Sequence, residues 1–83
     1  MPIHVKVLYF GQTRDASGTS EELFSLPDRS SLHSLLERAK SKHDELGKFE
    51  RSMKVALNEE MAEGDEHLKE GDVVALIPPV AGG

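Results

Sequence analysis

Eighty-three residues with fifteen acidic, ten basic and four histidine side chains carry a formal net charge of −5 at pH 7. A chain this short makes one domain, whose folding buries only about 60% of the surface that the unfolded chain exposes, and leaves no room for a second. Cysteine is absent, which excludes disulfides, thiolate metal ligands and a cysteine nucleophile, and the acidic balance disfavours nonspecific nucleic-acid binding while suiting a basic partner surface.

The opening Met1-Pro2-Ile3-His4-Val5-Lys6 has no cationic segment followed by a signal-type apolar run. No stretch approaches the roughly eighteen apolar residues needed to span a bilayer, so a cytoplasmic protein without a membrane partner is expected. Residues 3–10 are rich in β-branched and aromatic side chains, with Val5, Val7 and Tyr9 on one face and Lys6, Leu8 and Phe10 on the other; this alternation predicts a strand. Residues 11–18 are polar with a glycine at each end and read as a long hairpin loop before a second strand over 22–26, closed by Pro27-Asp28. Ser31 is placed to cap a helix whose Leu32, Leu35, Leu36 and Ala39 share one face. Leu46 extends that stripe, and Gly47 is suited to end the helix in a left-handed cap.

A third strand is predicted over 53–57, a turn at Asn58, a short extended piece over 60–62 and then an acidic loop. Lys69-Glu70-Gly71-Asp72 is a turn signal, and Val73–Ile77 is a continuous apolar run suited to a central strand. With one main helix, the first and last strands can lie side by side in the middle of the sheet. The expected architecture is α+β, a β-grasp: a mixed sheet of four to five strands with one main helix packed on one face. Residues 1–83 form a single domain of this kind, with 78–83 a protruding C-terminal tail.

The body offers no catalytic centre of its own. The histidines at 4, 33, 43 and 67 form no ligand pair at helical spacing, and His67 with Asp65 and Glu66 reads as a solvated loop, so no metal site is expected. Gly64 and Gly71 are isolated turn glycines and not a phosphate loop. Two other features carry the functional reading. The first is the end of the chain, where Pro78-Pro79 leads through Val80 and Ala81 to Gly82 and Gly83. Prolines end the last strand and launch the tail, and paired glycines without Cβ atoms can thread a narrow channel. Six extended residues at roughly 3.3 Å each reach about 20 Å, far enough to place the terminal carboxylate in a partner's active site. The second is the sheet face away from the helix, where Phe10 and Ile77, with Met61 nearby, make a candidate protein interface.

Together the end Ile77-Pro78-Pro79-Val80-Ala81-Gly82-Gly83, the turn Glu70-Gly71-Asp72, Val55-Ala56-Leu57-Asn58 and the opening Val5-Lys6-Val7-Leu8-Tyr9-Phe10-Gly11 with Arg14 resemble the MoaD family. That family is the small, sulfur-carrier subunit of molybdopterin synthase, within the ThiS/MoaD ubiquitin-like β-grasp superfamily. The resemblance implies a carrier without catalysis of its own. An E1-like (MoeB-like) activating enzyme would use ATP to adenylate Gly83, a sulfur donor would convert it to a thiocarboxylate, and the tail 78–83 would enter a MoaE-like large subunit. There it would deliver sulfur to the pyranopterin precursor of the molybdenum cofactor, in a heterotetramer of two small and two large subunits. By position, Phe10, Arg14, Met61 and Ile77 match residues that meet the large subunit. Gly11 stands where the family often has alanine, and Val73 where an acidic residue is common. Alternative readings are a carrier for thiamin thiazole synthesis, whose members usually lack Pro-Pro-Val, a ubiquitin-like modifier joined to target lysines, and a plain binding module indifferent to loss of the diglycine.

Overall fold

The computed structural model describes residues 1–78. Along the chain run β1 (Ile3–Tyr9), α1 (Gln12–Ser17), β2 (Glu21–Leu26), α2 (Leu32–Lys42), a 3₁₀ helix (Asp44–Phe49), β3 (Lys54–Leu57), β4 (Glu60–Met61) and β5 (Val73–Ile77). The strands form one mixed sheet in the order β2-β1-β5-β3-β4. β5 runs parallel to β1 and antiparallel to β3, so the first and last strands meet at its centre, as the β-grasp reading requires.

Alternation places side chains as expected. Val5, Val7, Tyr9, Val74 and Leu76 point inward, each 2% exposed or less, against Leu32, Leu35 and Ala39 of α2. Burying a leucine such as Leu35 contributes about 1.5–3 kcal/mol. Ser31 caps α2, its hydroxyl accepting the Ser34 N–H at 3.1 Å. Asn58 and Glu59 both take positive φ, 50° and 72°, the backbone of a tight two-residue hairpin turn between β3 and β4.

Three segments differ from the sequence reading. The expected loop over 11–18 contains α1, because Thr13 is fully buried, Ala16 packs against the core, and Gly18 (φ 79°) closes the turn by donating its N–H to the Arg14 carbonyl. A single short turn has too little propensity to declare itself, and tertiary burial holds it. The main helix does not run to Gly47. It stops at Lys42, where His43 adopts a non-helical backbone (φ −128°, ψ 88°), and Leu46 enters the core from the 3₁₀ helix instead. Gly47 is not among the residues with positive φ. The acidic loop keeps Asp65 and His67 exposed, but its backbone is docked: the N–H groups of Leu32 and His33 donate to the carbonyls of Glu66 (2.8 Å) and Gly64 (2.9 Å). These helix donors have no partner within the helix, and the loop satisfies them.

A candidate carrier surface: the tail root and the outer sheet face

Register builds the outer face. Leu8 of β1 pairs with Ala75 of β5, Ala75 with Ala56 of β3, and Ala56 with Met61 of β4, and paired residues project to the same side of a sheet. Leu8, Ala75, Ala56 and Met61 therefore form one apolar row across four strands. One step toward the end of β5 stands Ile77, beside Lys54; Phe10 follows β1 directly, its N–H 3.4 Å from the Leu76 carbonyl. Exposure reaches 49% for Phe10, 62% for Met61 and 37% for Ile77, whereas Ala56 between them is only 7% exposed. Longer side chains thus surround a centre of two alanines, the shape of a face that receives a partner's side chains.

The structure brings Phe10, Met61 and Ile77 onto this face. Arg14 stands apart, exposed on α1, where its position relative to Phe10 comes from the helix and not from the sheet. Leu23 escaped the sequence reading although it is 67% exposed. It lies on the outer side of β2, paired with Lys6, and its alternation with the buried Phe24 was the available signal. The Lys6 ammonium meets Glu21 at 3.0 Å, so this side of the face carries a neutralised pair.

The last described residue, Pro78, is held at its root. Gly11 has φ 52° and ψ −124°, a conformation that disfavours any residue with a side chain, and a Cβ there would stand 3.2 Å from Pro78 Cγ. Behind it the Thr13 hydroxyl, wholly buried, accepts the Phe10 N–H at 2.9 Å and lies 2.7 Å from the Phe10 carbonyl and 3.2 Å from that of Leu76. Pro79, Val80, Ala81, Gly82 and Gly83 lie outside the described residues.

On the opposite side of the sheet a polar cluster ties β2 to the end of α2. Glu22 accepts hydrogen bonds from Tyr9 and His43, each at 2.9 Å, and pairs with Lys42. Burial alone would raise the Glu22 carboxyl, but the hydrogen bonds from Lys42, His43 and Tyr9 outweigh it and hold it below the usual range. Burial, with Glu22 adjoining, pushes the Tyr9 phenol well above its ordinary value. Tyr9, His43 and Lys42 thus each meet the Glu22 carboxylate within this cluster. Among the described residues no group of three or more histidine, aspartate or glutamate side chains could hold a metal ion, and no helix is long and apolar enough to cross a membrane.

A mixed sheet with its first and last strands parallel at the centre and one main helix across one face is a β-grasp fold. The ThiS family model matches residues 7–83. The chain is 37% identical to the molybdopterin synthase sulfur carrier subunit of Chlamydomonas reinhardtii, over 98% of this chain and 100% of that one. Among solved structures, a protein described as molybdopterin converting factor subunit 1 of Pyrococcus furiosus superposes with a TM-score of 0.86 at 32% identity, covering 94% of this chain and 99% of that one. A chain from the complex of subunits 1 and 2 of the molybdopterin-converting factor of Helicobacter pylori gives a TM-score of 0.67 at 29% identity, covering 98% and 100%. The chain belongs to the ThiS/MoaD-like sulfur-carrier family.

Proposed function

We propose that this chain is the sulfur carrier of molybdopterin biosynthesis and that it carries sulfur on the carboxyl group of Gly83. The observation that carries the reading is the junction of two features at one corner of the fold: Pro78 against Gly11, and the apolar face of Phe10, Ile77 and Met61 beside it. A partner seated on that face lies beside Pro78, the residue from which the tail continues.

The chemistry follows from the group at the end. A C-terminal carboxylate, with an ordinary pKa near 3.5, is ionised at neutral pH and is a poor electrophile. An E1-like activating enzyme joins it to AMP from ATP and releases pyrophosphate, which makes a mixed anhydride. Sulfide (HS⁻) released by a sulfur donor then attacks the acyl carbon, the C–O bond to AMP breaks, AMP departs with that oxygen, and loss of the sulfur-bound proton leaves a thiocarboxylate. The carrier needs no thiol of its own, which suits a chain without cysteine. ATP binds the activating enzyme and not this domain. A MoaE-like large subunit then takes the tail, with Phe10, Arg14, Met61 and Ile77 in contact and Pro79 to Gly82 in the channel. Two carriers in a heterotetramer of two small and two large subunits supply the two sulfurs of the dithiolene. The reactions are placed in the cytoplasm.

Mass spectrometry after incubation with ATP, the cognate activating enzyme and a sulfur source tests the reading. Tandem fragmentation should place the exchange of oxygen for sulfur at Gly83, distinguishing it from oxidation of Met1, Met53 or Met61. An unmodified terminus, under conditions that load another carrier, overturns it.

A further inference from the structure

We propose that Lys54 is the charged contact of the outer face, and that the partner covering Phe10, Ile77 and Met61 sets an aspartate or glutamate carboxylate against its ammonium group; the inference rests on the carrier reading above. Register places Lys54 directly across from Ile77 on the same side of the sheet, with Cβ atoms about 5 Å apart. Among the described residues the strands bring three basic side chains to this face, and two are occupied. Lys6 meets Glu21 at 3.0 Å and His4 meets Glu70 at 3.2 Å, both near the start of β1 and away from Phe10 and Ile77. Lys54 stands at the other end, exposed, and joins no ion pair among the described residues. The carboxylates of the groove that adjoins it between β3 and α2 do not serve it. Glu37 and Glu50 are both taken by Lys40, at 2.7 Å and 2.6 Å, and Glu63 makes no pair with it.

A partner that covers Ile77 strips water from the cation beside it. Desolvating an ammonium group is costly unless a carboxylate accepts its hydrogen bonds. The matching surface is therefore apolar opposite Leu8, Ala75 and Ala56 and acidic at one point, opposite Lys54. That point runs contrary to the long-range field, because a chain of net charge −5 draws a basic surface toward it. A carboxylate at Lys54 thus contributes to register and to the choice of partner, and not to attraction at a distance.

The test is the affinity for the cognate large subunit, read by isothermal titration calorimetry for the wild type, Lys54→Met, Lys54→Arg and Lys69→Met. Lys69 lies in the turn before β5, at the end away from Ile77, and its change to methionine removes the same charge. Lys54→Met, which keeps the apolar stem, should raise Kd about tenfold, and Lys54→Arg should stay within about threefold of wild type. Lys69→Met should bind as tightly as wild type or more tightly, since the more acidic chain is drawn more strongly to a basic partner. Carbodiimide crosslinking of the wild-type complex should join Lys54 Nζ to an aspartate or glutamate of the large subunit, as located by tandem mass spectrometry. Wild-type or tighter binding by Lys54→Met overturns the proposal, as does an equal loss in Lys69→Met or a complex whose crosslinks all lie elsewhere. Failure of the wild-type protein to bind the large subunit is a different result and overturns the carrier reading itself.

Discussion

The phenolic hydroxyl of Tyr9 donates to Glu22 Oε1 across 2.9 Å, joining the central strand β1 to the edge strand β2 through side chains on the helix-covered face of the sheet. His43 and Lys42 at the end of α2 share the same carboxylate, and the Tyr9 and His43 rings meet edge to face at 5.9 Å. This cluster explains why α2 stops where it does: the irregular backbone at His43 turns its ring toward Glu22, and the chain re-enters the core at Leu46.

Because Glu22 is held below its ordinary value of 4.5, the stabilisation it provides is fully present above that pH. It is lost as pH falls through the lower folded value. Wild-type stability measured by urea unfolding should therefore decline between about pH 5 and pH 3. Glu22→Gln should be less stable at pH 7 by about 1–2 kcal/mol, from weakened charge-assisted hydrogen bonds, and should show a shallower acid decline. Glu37 and Glu66, also depressed by the Lys40 ammonium and by backbone N–H groups respectively, keep that decline from vanishing. An unchanged acid slope in Glu22→Gln would assign the pH dependence to other carboxylates.

Replacing Ser31 removes the hydroxyl that accepts the Ser34 N–H. Ser31→Ala should lower stability by about 1 kcal/mol, a fall in Tm of about 4–8 °C for a domain of this size. Differential scanning calorimetry reads it directly. A smaller loss would mean that the docked loop carbonyls of Gly64 and Glu66 already satisfy the first turn.

Phe10 is half exposed beside Ile77 and contributes little to the core. Phe10→Ala should leave Tm nearly unchanged and weaken binding to the large synthase subunit by about 1 kcal/mol or more, as truncation of an anchor does. Isothermal titration calorimetry with Met61→Ala alongside maps the face. Unchanged affinity in both variants would place the interface elsewhere.

Deleting Gly83 should abolish sulfur loading while the circular dichroism spectrum stays that of the wild type. Loading retained by the shortened chain, read by intact-mass spectrometry, would refute the terminal mechanism.

What the sequence by itself determined is whatever repeats locally. Period-two alternation assigned Val5, Val7 and Tyr9 inward and Phe10 and Ile77 outward, the helical spacing of Leu32, Leu35 and Ala39 with Ser31 ahead placed α2, and the apolar run at Val73–Ile77 implied a central strand beside β1. The terminal motif pointed to the family that the comparisons then established. Tertiary structure decided the rest: α1 built around a buried Thr13, the break at His43, the loop carbonyls on the first turn of α2, and Pro78 seated on Gly11. Each of these depends on groups distant in the chain, as Thr13 and Leu76 are sixty-three residues apart. A hydroxyl or a glycine has no periodic signature; its role exists only when folding brings the particular carbonyl or ring that it serves within reach.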